Sequence, residues 1–142
     1  MKLVPQQKWQ IPAEVARIPE VLKSIEHSAI ACGLAADECL RMQLAVEEAL
    51  ANICKYAFDA PPPGMLSLEL VRRGHEVCVV LEDNGKPFDP SGAASPDLDS
   101  TLQDRQVGGL GIHLIRQSAR KLRYSRIGNR NHLELAFLAG TR

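Results

Sequence analysis

No stretch of this chain stays apolar for the ~18–20 residues that a membrane-spanning helix requires, so a soluble protein with no membrane partner is expected. It also has no excess of charge. Seventeen Lys and Arg balance seventeen Asp and Glu, so nothing global favours a nucleic acid or an anionic surface, although a local basic patch stays open. There is no C-x-x-C pair and no secretory leader. Cys32, Cys39, Cys54 and Cys78 lie in or beside apolar segments, which favours reduced, buried thiols in a cytoplasm and argues against zinc. His27, His75, His113 and His132 form no ligand spacing. Internal repeats and low-complexity tracts are absent too. What remains is an ordinary composition, 45% hydrophobic and 24% charged, over 142 residues: one domain, large enough to bury a core without disulfides.

Taken in order, Lys2 to Ile11 reads as an edge strand or arm broken by Pro5. From Ala13 to Ala31 the apolar positions Val15, Ile18, Val21, Leu22, Ile25 and Ala29 fall at helical spacing, with Gly33 as the stop and Pro19 marking where the regular helix begins. Asp37 is the expected N-cap of a second helix that ends around Phe58, before the turn Asp59-Ala60-Pro61-Pro62-Pro63-Gly64. Met65–Val71 and Glu76–Leu81 then alternate as two antiparallel strands joined by Arg72 to His75. A long aperiodic stretch follows, up to Gly108-Gly109-Leu110-Gly111, and opens a helix marked by Ile112, Leu114, Ile115 and Ala119 that runs into the basic stretch Arg116 to Arg123. Strands around Leu122–Ile127 and His132–Leu138, hinged on Gly128 to Asn131, complete the order β-α-α-β-β-loop-α-β-β. That order predicts an α/β (α+β) two-layer sandwich, a mainly antiparallel sheet covered on one face by helices.

The second helix carries the first chemical signal. Glu48 and Asn52 are one turn apart, so they share a face, while Cys39, Met42, Val46, Leu50, Ile53 and Ala57 form an apolar stripe on the opposite side. Glu47 lies instead with Gln43 and Cys54. Glu48 with Asn52 thus offers a candidate base and a neutral oxygen ligand aimed into one space. Taken alone, the spacing arises by chance on many helices. Asp83-Asn84-Gly85 taken alone is a turn, and Gly108 to Gly111 is a loop-to-helix junction.

Three pieces in this order are more specific. Glu48 to Ala57 matches E-x-x-x-N-x-x-x-H/Y-A, Asp83 to Asp89 matches D-x-G-x-x-F-D/N, and Gly109-Leu110-Gly111-Ile112 matches G-x-G-I/L. Together they resemble the N-box and two glycine boxes of the GHKL-type (histidine-kinase-like) ATPase superfamily, most closely its anti-sigma-factor serine/threonine kinase branch, over nearly the whole chain. The resemblance implies the GHKL fold, ATP and Mg²⁺ as cofactors, and transfer of the γ-phosphate to a serine or threonine. It implies an anti-anti-sigma protein as substrate, a sigma factor as second partner, a homodimer, and no direct nucleic-acid contact.

Residue by residue, the resemblance makes Glu48 the general base and Asn52 the Mg²⁺ ligand. Asp83 would accept a hydrogen bond from the adenine amino group, with Gly85 leaving room for the base and Phe88 completing that box. Gly108, Gly109, Leu110, Gly111 and Ile112 would present backbone N–H groups to phosphates at a helix start. The stretch from about Asp89 to Gln106 would be a lid. Lys55 projects on the Glu48 face and either reaches a phosphate or is solvated, and Arg105 is a γ-phosphate or partner contact. There are two departures. Tyr56 stands where the family has His. Asn131-His132 replaces a common Thr or Ser near the last strand, which either lowers nucleotide affinity or makes Asn131 the substitute polar partner. A rival reading keeps the nucleotide without phosphotransfer, as an ATP-gated binding module. Histidine-kinase function lacks the phosphoacceptor helix pair it needs.

Overall fold

The computed structural model describes residues 7–58, 64–87 and 110–140, with the backbone alone for 110–113. Strand β1 (Gln7–Pro12) is followed by α1 (Ile18–Ala31), α2 (Cys39–Tyr56), β2 (Met65–Arg73), β3 (Glu76–Asp83), α3 (Leu110–Ser118), β4 (Lys121–Ile127) and β5 (Arg130–Leu138). The strands form one antiparallel sheet in the order β1-β2-β3-β5-β4. This is the predicted α+β architecture. Pro5 lies outside the described residues, and no helix among those described is long and apolar enough to cross a membrane.

Local chemistry explains the boundaries. Pro19 sits in the first turn of α1, where its missing N–H would have had no helical partner. The helix ends in a Schellman arrangement: Leu34 N–H donates to the Ala29 carbonyl (2.9 Å) and Gly33 N–H to that of Ile30 (3.0 Å). Gly33 has φ 98°, which a side chain would oppose. The expected Asp37 cap is corrected by the structure. Asp37 lies inside a 3₁₀ turn, Ala36–Glu38, and Glu38 takes the cap position without a side-chain cap bond. Its carboxylate turns inward to cations instead. The helix α3 stops at Ser118, inside the basic stretch as expected, with Arg116 in its last turn, while Lys121 and Arg123 belong to β4.

One face of the sheet buries Leu66, Leu68 and Leu70 of β2, Val77, Val79 and Leu81 of β3, and Leu133, Leu135 and Phe137 of β5. Against them pack Val21, Ile25 and Ala29 of α1, Met42, Val46, Ala49, Leu50 and Ile53 of α2, and Ile115 of α3. The opposite face carries Arg73 paired with Glu134, Lys121 with Glu76 (2.8 Å), and His132 near Glu82 (3.4 Å). Val71, Cys78, Val80 and Ala136 of that face are buried as well.

Strand periodicity then determines where the polar residues at the end of that core point. Asp83 continues the core-facing row of Val77, Val79 and Leu81; Asn131 continues that of Leu133, Leu135 and Phe137. The register pairs Leu66 with Asp83, Asp83 with Asn131, and Asn131 with Arg126. An apolar layer thus ends in a polar row beneath the C-terminal half of α2.

Candidate functional site

A recess, open to solvent at its mouth, lies where the C-terminal half of α2 passes over that row. Ala49, Asn52 and Ile53 of α2, with its C-cap Ala57, form one wall; Ile115 of α3, Tyr124 of β4 and Leu133 of β5 form the other; Asp83 and Asn131 close the end. Its make-up is that of a small-ligand pocket: apolar walls with a few placed polar groups.

At the closed end, Asp83 is 5% exposed. Its Oδ1 accepts the Gly85 N–H at 2.8 Å and the Asn131 Nδ2–H at 3.0 Å. The second oxygen, Oδ2, accepts no hydrogen bond from the described residues. A buried carboxylate with one oxygen held and the other available selects a ligand edge that carries a donor. Asn131 is the polar partner here, in the place where the resemblance had left a choice.

Asn52 is buried, and its Nδ2 has no hydrogen-bond partner among the described residues. This amends the expectation for α2. The buried face is wider than the expected stripe, taking in Ala45, Ala49 and Asn52, so Asn52 sits at its margin rather than opposite it. An orphaned buried amide aimed into a recess fits a bound polar group. No group of three or more His, Cys, Asp or Glu gathers among the described residues, so a cation here would depend on the Asn52 side-chain oxygen together with oxygens of a ligand. Glu48, one turn earlier, is half-buried and outside the recess lining; Glu47 is exposed. Lys55 is exposed and also outside the lining.

Gly85 departs from the expectation in its physical reason. A Cβ there would lie 2.4 Å from the Ala57 carbonyl oxygen and 2.6 Å from the Ala57 Cβ, and Lys86 N–H donates to the same carbonyl at 2.9 Å. The space that glycine leaves is filled by the end of α2. Phe88, Arg105, Gly108 and Gly109 lie outside the described residues. Leu110, Gly111 and Ile112 form the first turn of α3, and their backbone alone is described.

Tyr124 and Arg126 belong to the site although no motif marks them. The signal was the period-two row Leu122, Tyr124, Arg126 in register with Leu135, Leu133 and Asn131. The cysteines stay out of the chemistry: all four are free, and burial pushes each thiol up, away from thiolate.

Comparison with known proteins agrees with this geometry. The model of the histidine kinase-like ATPase domain family matches residues 11–137. The chain is 36% identical over 116 residues to a serine/threonine-protein kinase, BtrW, of Bordetella bronchiseptica, covering 82% of each protein. It is 23% identical over 100 residues to an anti-sigma F factor of Anoxybacillus flavithermus, covering 70% of this chain and 68% of that one. Among solved structures, the RsbU and RsbW domains of a Mycobacterium tuberculosis protein superpose with a TM-score of 0.64 at 11% identity, a likeness of fold. That match covers 97% of this chain and 33% of the solved one, so the chain spans about a third of its length. The family match over most of the chain, together with the close kinase relative, establishes that this chain belongs to the histidine kinase-like, or GHKL-type, ATPase family.

Proposed function

We propose that this chain binds ATP with Mg²⁺ and transfers the γ-phosphate to a serine or threonine of a partner protein, acting as an anti-sigma factor. The observation that carries the reading is Asp83, buried at the end of the recess with Oδ1 held by two donors and Oδ2 left to accept from the adenine amino group. Ile53, Ile115, Tyr124 and Leu133 give the base apolar surfaces. The start of α3 at Leu110 supports placing the phosphates there, on backbone N–H groups of Gly108, Gly109, Leu110, Gly111 and Ile112. Asn52 would hold Mg²⁺ through its side-chain oxygen, and the ion, when bound, neutralises charge on the phosphate oxygens. Glu48, one turn away on the same helix, takes the proton of the attacking hydroxyl as the new O–P bond forms and the bond to the ADP oxygen breaks. Phe88, Lys55 and Arg105 are assigned as further nucleotide contacts on the strength of the resemblance. The name of the anti-sigma F factor relative supports a sigma factor as the protein held; an anti-anti-sigma protein as substrate and a homodimer as the working unit are assigned on the strength of the resemblance.

The test is transfer of labelled phosphate from ATP–Mg²⁺ to a small anti-anti-sigma-like protein encoded beside this chain. Label on a serine or threonine of that protein is the result expected. Tight ATP binding with no label on any such partner would leave the ATP-gated binding module in its place.

A further inference from the structure

We propose that Arg126 and Tyr124 set the base preference of the recess by locking the side-chain amide of Asn131, which makes both of them positioning residues for Asp83. The inference rests on the nucleotide reading above and adds to it the origin of selectivity.

The lock is a set of opposed donors and acceptors around one buried amide, 4% exposed. Asn131 Oδ1 accepts from Arg126 Nη1 at 3.1 Å and from the Tyr124 hydroxyl. Its Nδ2 donates to Asp83 Oδ1 at 3.0 Å and to the Lys86 carbonyl at 2.8 Å. Turning the amide over would set its N–H₂ against a guanidinium and its oxygen against a carboxylate and a carbonyl, so Arg126, Asp83 and Lys86 admit only one orientation, in which the Tyr124 hydroxyl donates to the amide oxygen. Arg126 Nη1 also donates to the Gly85 carbonyl at 2.7 Å, on the turn whose N–H holds Asp83. Its guanidinium therefore bridges two neutral oxygens on either side of the Asp83 carboxylate, binding β4 to the end of β3.

The consequence is a fixed polarity at the end of the recess. With Asn131 locked, its N–H₂ engages Asp83 Oδ1, and Oδ2 is the oxygen left facing the ligand as an acceptor. Adenine presents an amino group to such an acceptor, and guanine presents a carbonyl. Loss of Arg126 and Tyr124 leaves the Asn131 amide held from one side alone, by Asp83 and the Lys86 carbonyl, so it turns more readily to offer a donor to a carbonyl, and discrimination between the two bases falls. Tyr124 contributes twice, because its ring also forms part of the recess wall.

The experiment measures calorimetric Kd values for ADP and GDP, at constant Mg²⁺, on the full chain and on Arg126→Met, Tyr124→Phe, the double variant and Arg126→Lys. The double variant should lower the ratio of the GDP to the ADP dissociation constant by about tenfold, equivalent to about 1.4 kcal/mol. Tyr124→Phe alone, which keeps the ring, should lower it by roughly threefold and stands by itself if loss of the arginine prevents folding. Arg126→Lys should largely restore the ratio, since a single arginine nitrogen makes both contacts. An equal loss of affinity for both nucleotides, with the ratio unchanged, would overturn the lock and leave these residues a purely structural role. Wild-type protein that binds neither nucleotide would instead overturn the nucleotide reading itself.

Discussion

Gly85 and Ala57 meet so closely that the helix bearing Asn52 and the strand bearing Asp83 form one rigid corner. The Ala57 carbonyl, at the end of α2, accepts the Lys86 N–H at 2.9 Å and lies 2.4 Å from where a Cβ on Gly85 would stand. Ala57 itself is buried, so neither side has a flexible side chain to move aside. The spacing between the proposed metal ligand and the proposed adenine acceptor is thereby held by backbone.

Gly85→Ala should break that corner. The added methyl meets backbone and not a side-chain tip, so overpacking should cost about 1–3 kcal/mol of stability. Nucleotide affinity should fall in parallel, because the Gly85 N–H orients Asp83. Urea unfolding and ATP titration of the variant check both, and an unchanged midpoint with unchanged affinity would mean that the corner yields freely.

At the opposite end of the helix layer, Glu38 holds three elements together. Its Oε1 accepts from Arg120 Nε (3.1 Å) and the Leu138 N–H (2.8 Å), its Oε2 from Arg120 Nη2 (2.9 Å), and Arg41 Nε lies 3.5 Å away. The Arg120 hydrogen bonds, with further help from the Leu138 N–H and from the charges of Arg120 and Arg41, outweigh burial and hold its carboxyl below the ordinary value of 4.5. A depressed folded-state pKa stabilises the fold at pH values above the unfolded-state value, and that stability is lost as pH falls from about 4.5 through the lower folded value. Stability should therefore drop steeply below about pH 4.5, and Glu38→Gln should flatten that drop. At neutral pH the variant should lose about 3 kcal/mol, the low end for breaking a buried ion pair, because both arginines reach solvent. Thermal melts of both proteins from pH 3 to pH 7, at about half-unit steps, supply the comparison.

Much of the architecture was legible because hydrophobic period and punctuation agree along this chain. Pro19 and Gly33 mark α1 by backbone chemistry that no tertiary contact overrides. Asp37 was misplaced because the capping rule is local, whereas Glu38 is chosen by cations more than eighty positions later in the chain, at Arg120. Asn52 was read as lying away from the core because helical phase alone does not reveal how wide a face the sheet and α3 cover. Asp83 and Gly85 were legible as a motif, but the close approach of Gly85 to Ala57 is a tertiary fact. Tyr124, Arg126 and Asn131 meet across the β4–β5 hairpin, but only the pairing of β5 with β3, which is distant in sequence, brings them to Asp83.

Asp83→Asn tests the acceptor directly. The new side-chain oxygen can still take the Gly85 and Asn131 hydrogen bonds, so the fold should survive, while an N–H₂ replaces the free oxygen. ATP affinity should fall about ten- to a hundredfold, the worth of a charged hydrogen bond of about 1.5–3 kcal/mol. GTP affinity should not fall with it. Equal losses for both nucleotides, measured by calorimetry, would contradict the assignment of Asp83 to the base.

The central claim is that Glu48 acts as base beside Asn52, and phosphate transfer by Glu48→Gln tests it most directly. Transfer to the partner protein should fall about 10²–10⁴-fold while nucleotide binding is largely retained, the signature of a lost general base. Asn52→Ala should impair binding and transfer together. Glu47→Gln, altering an exposed carboxylate about 100° around the helix, should transfer phosphate at nearly the wild-type rate. Full transfer by Glu48→Gln alongside a dead Glu47→Gln would contradict the account.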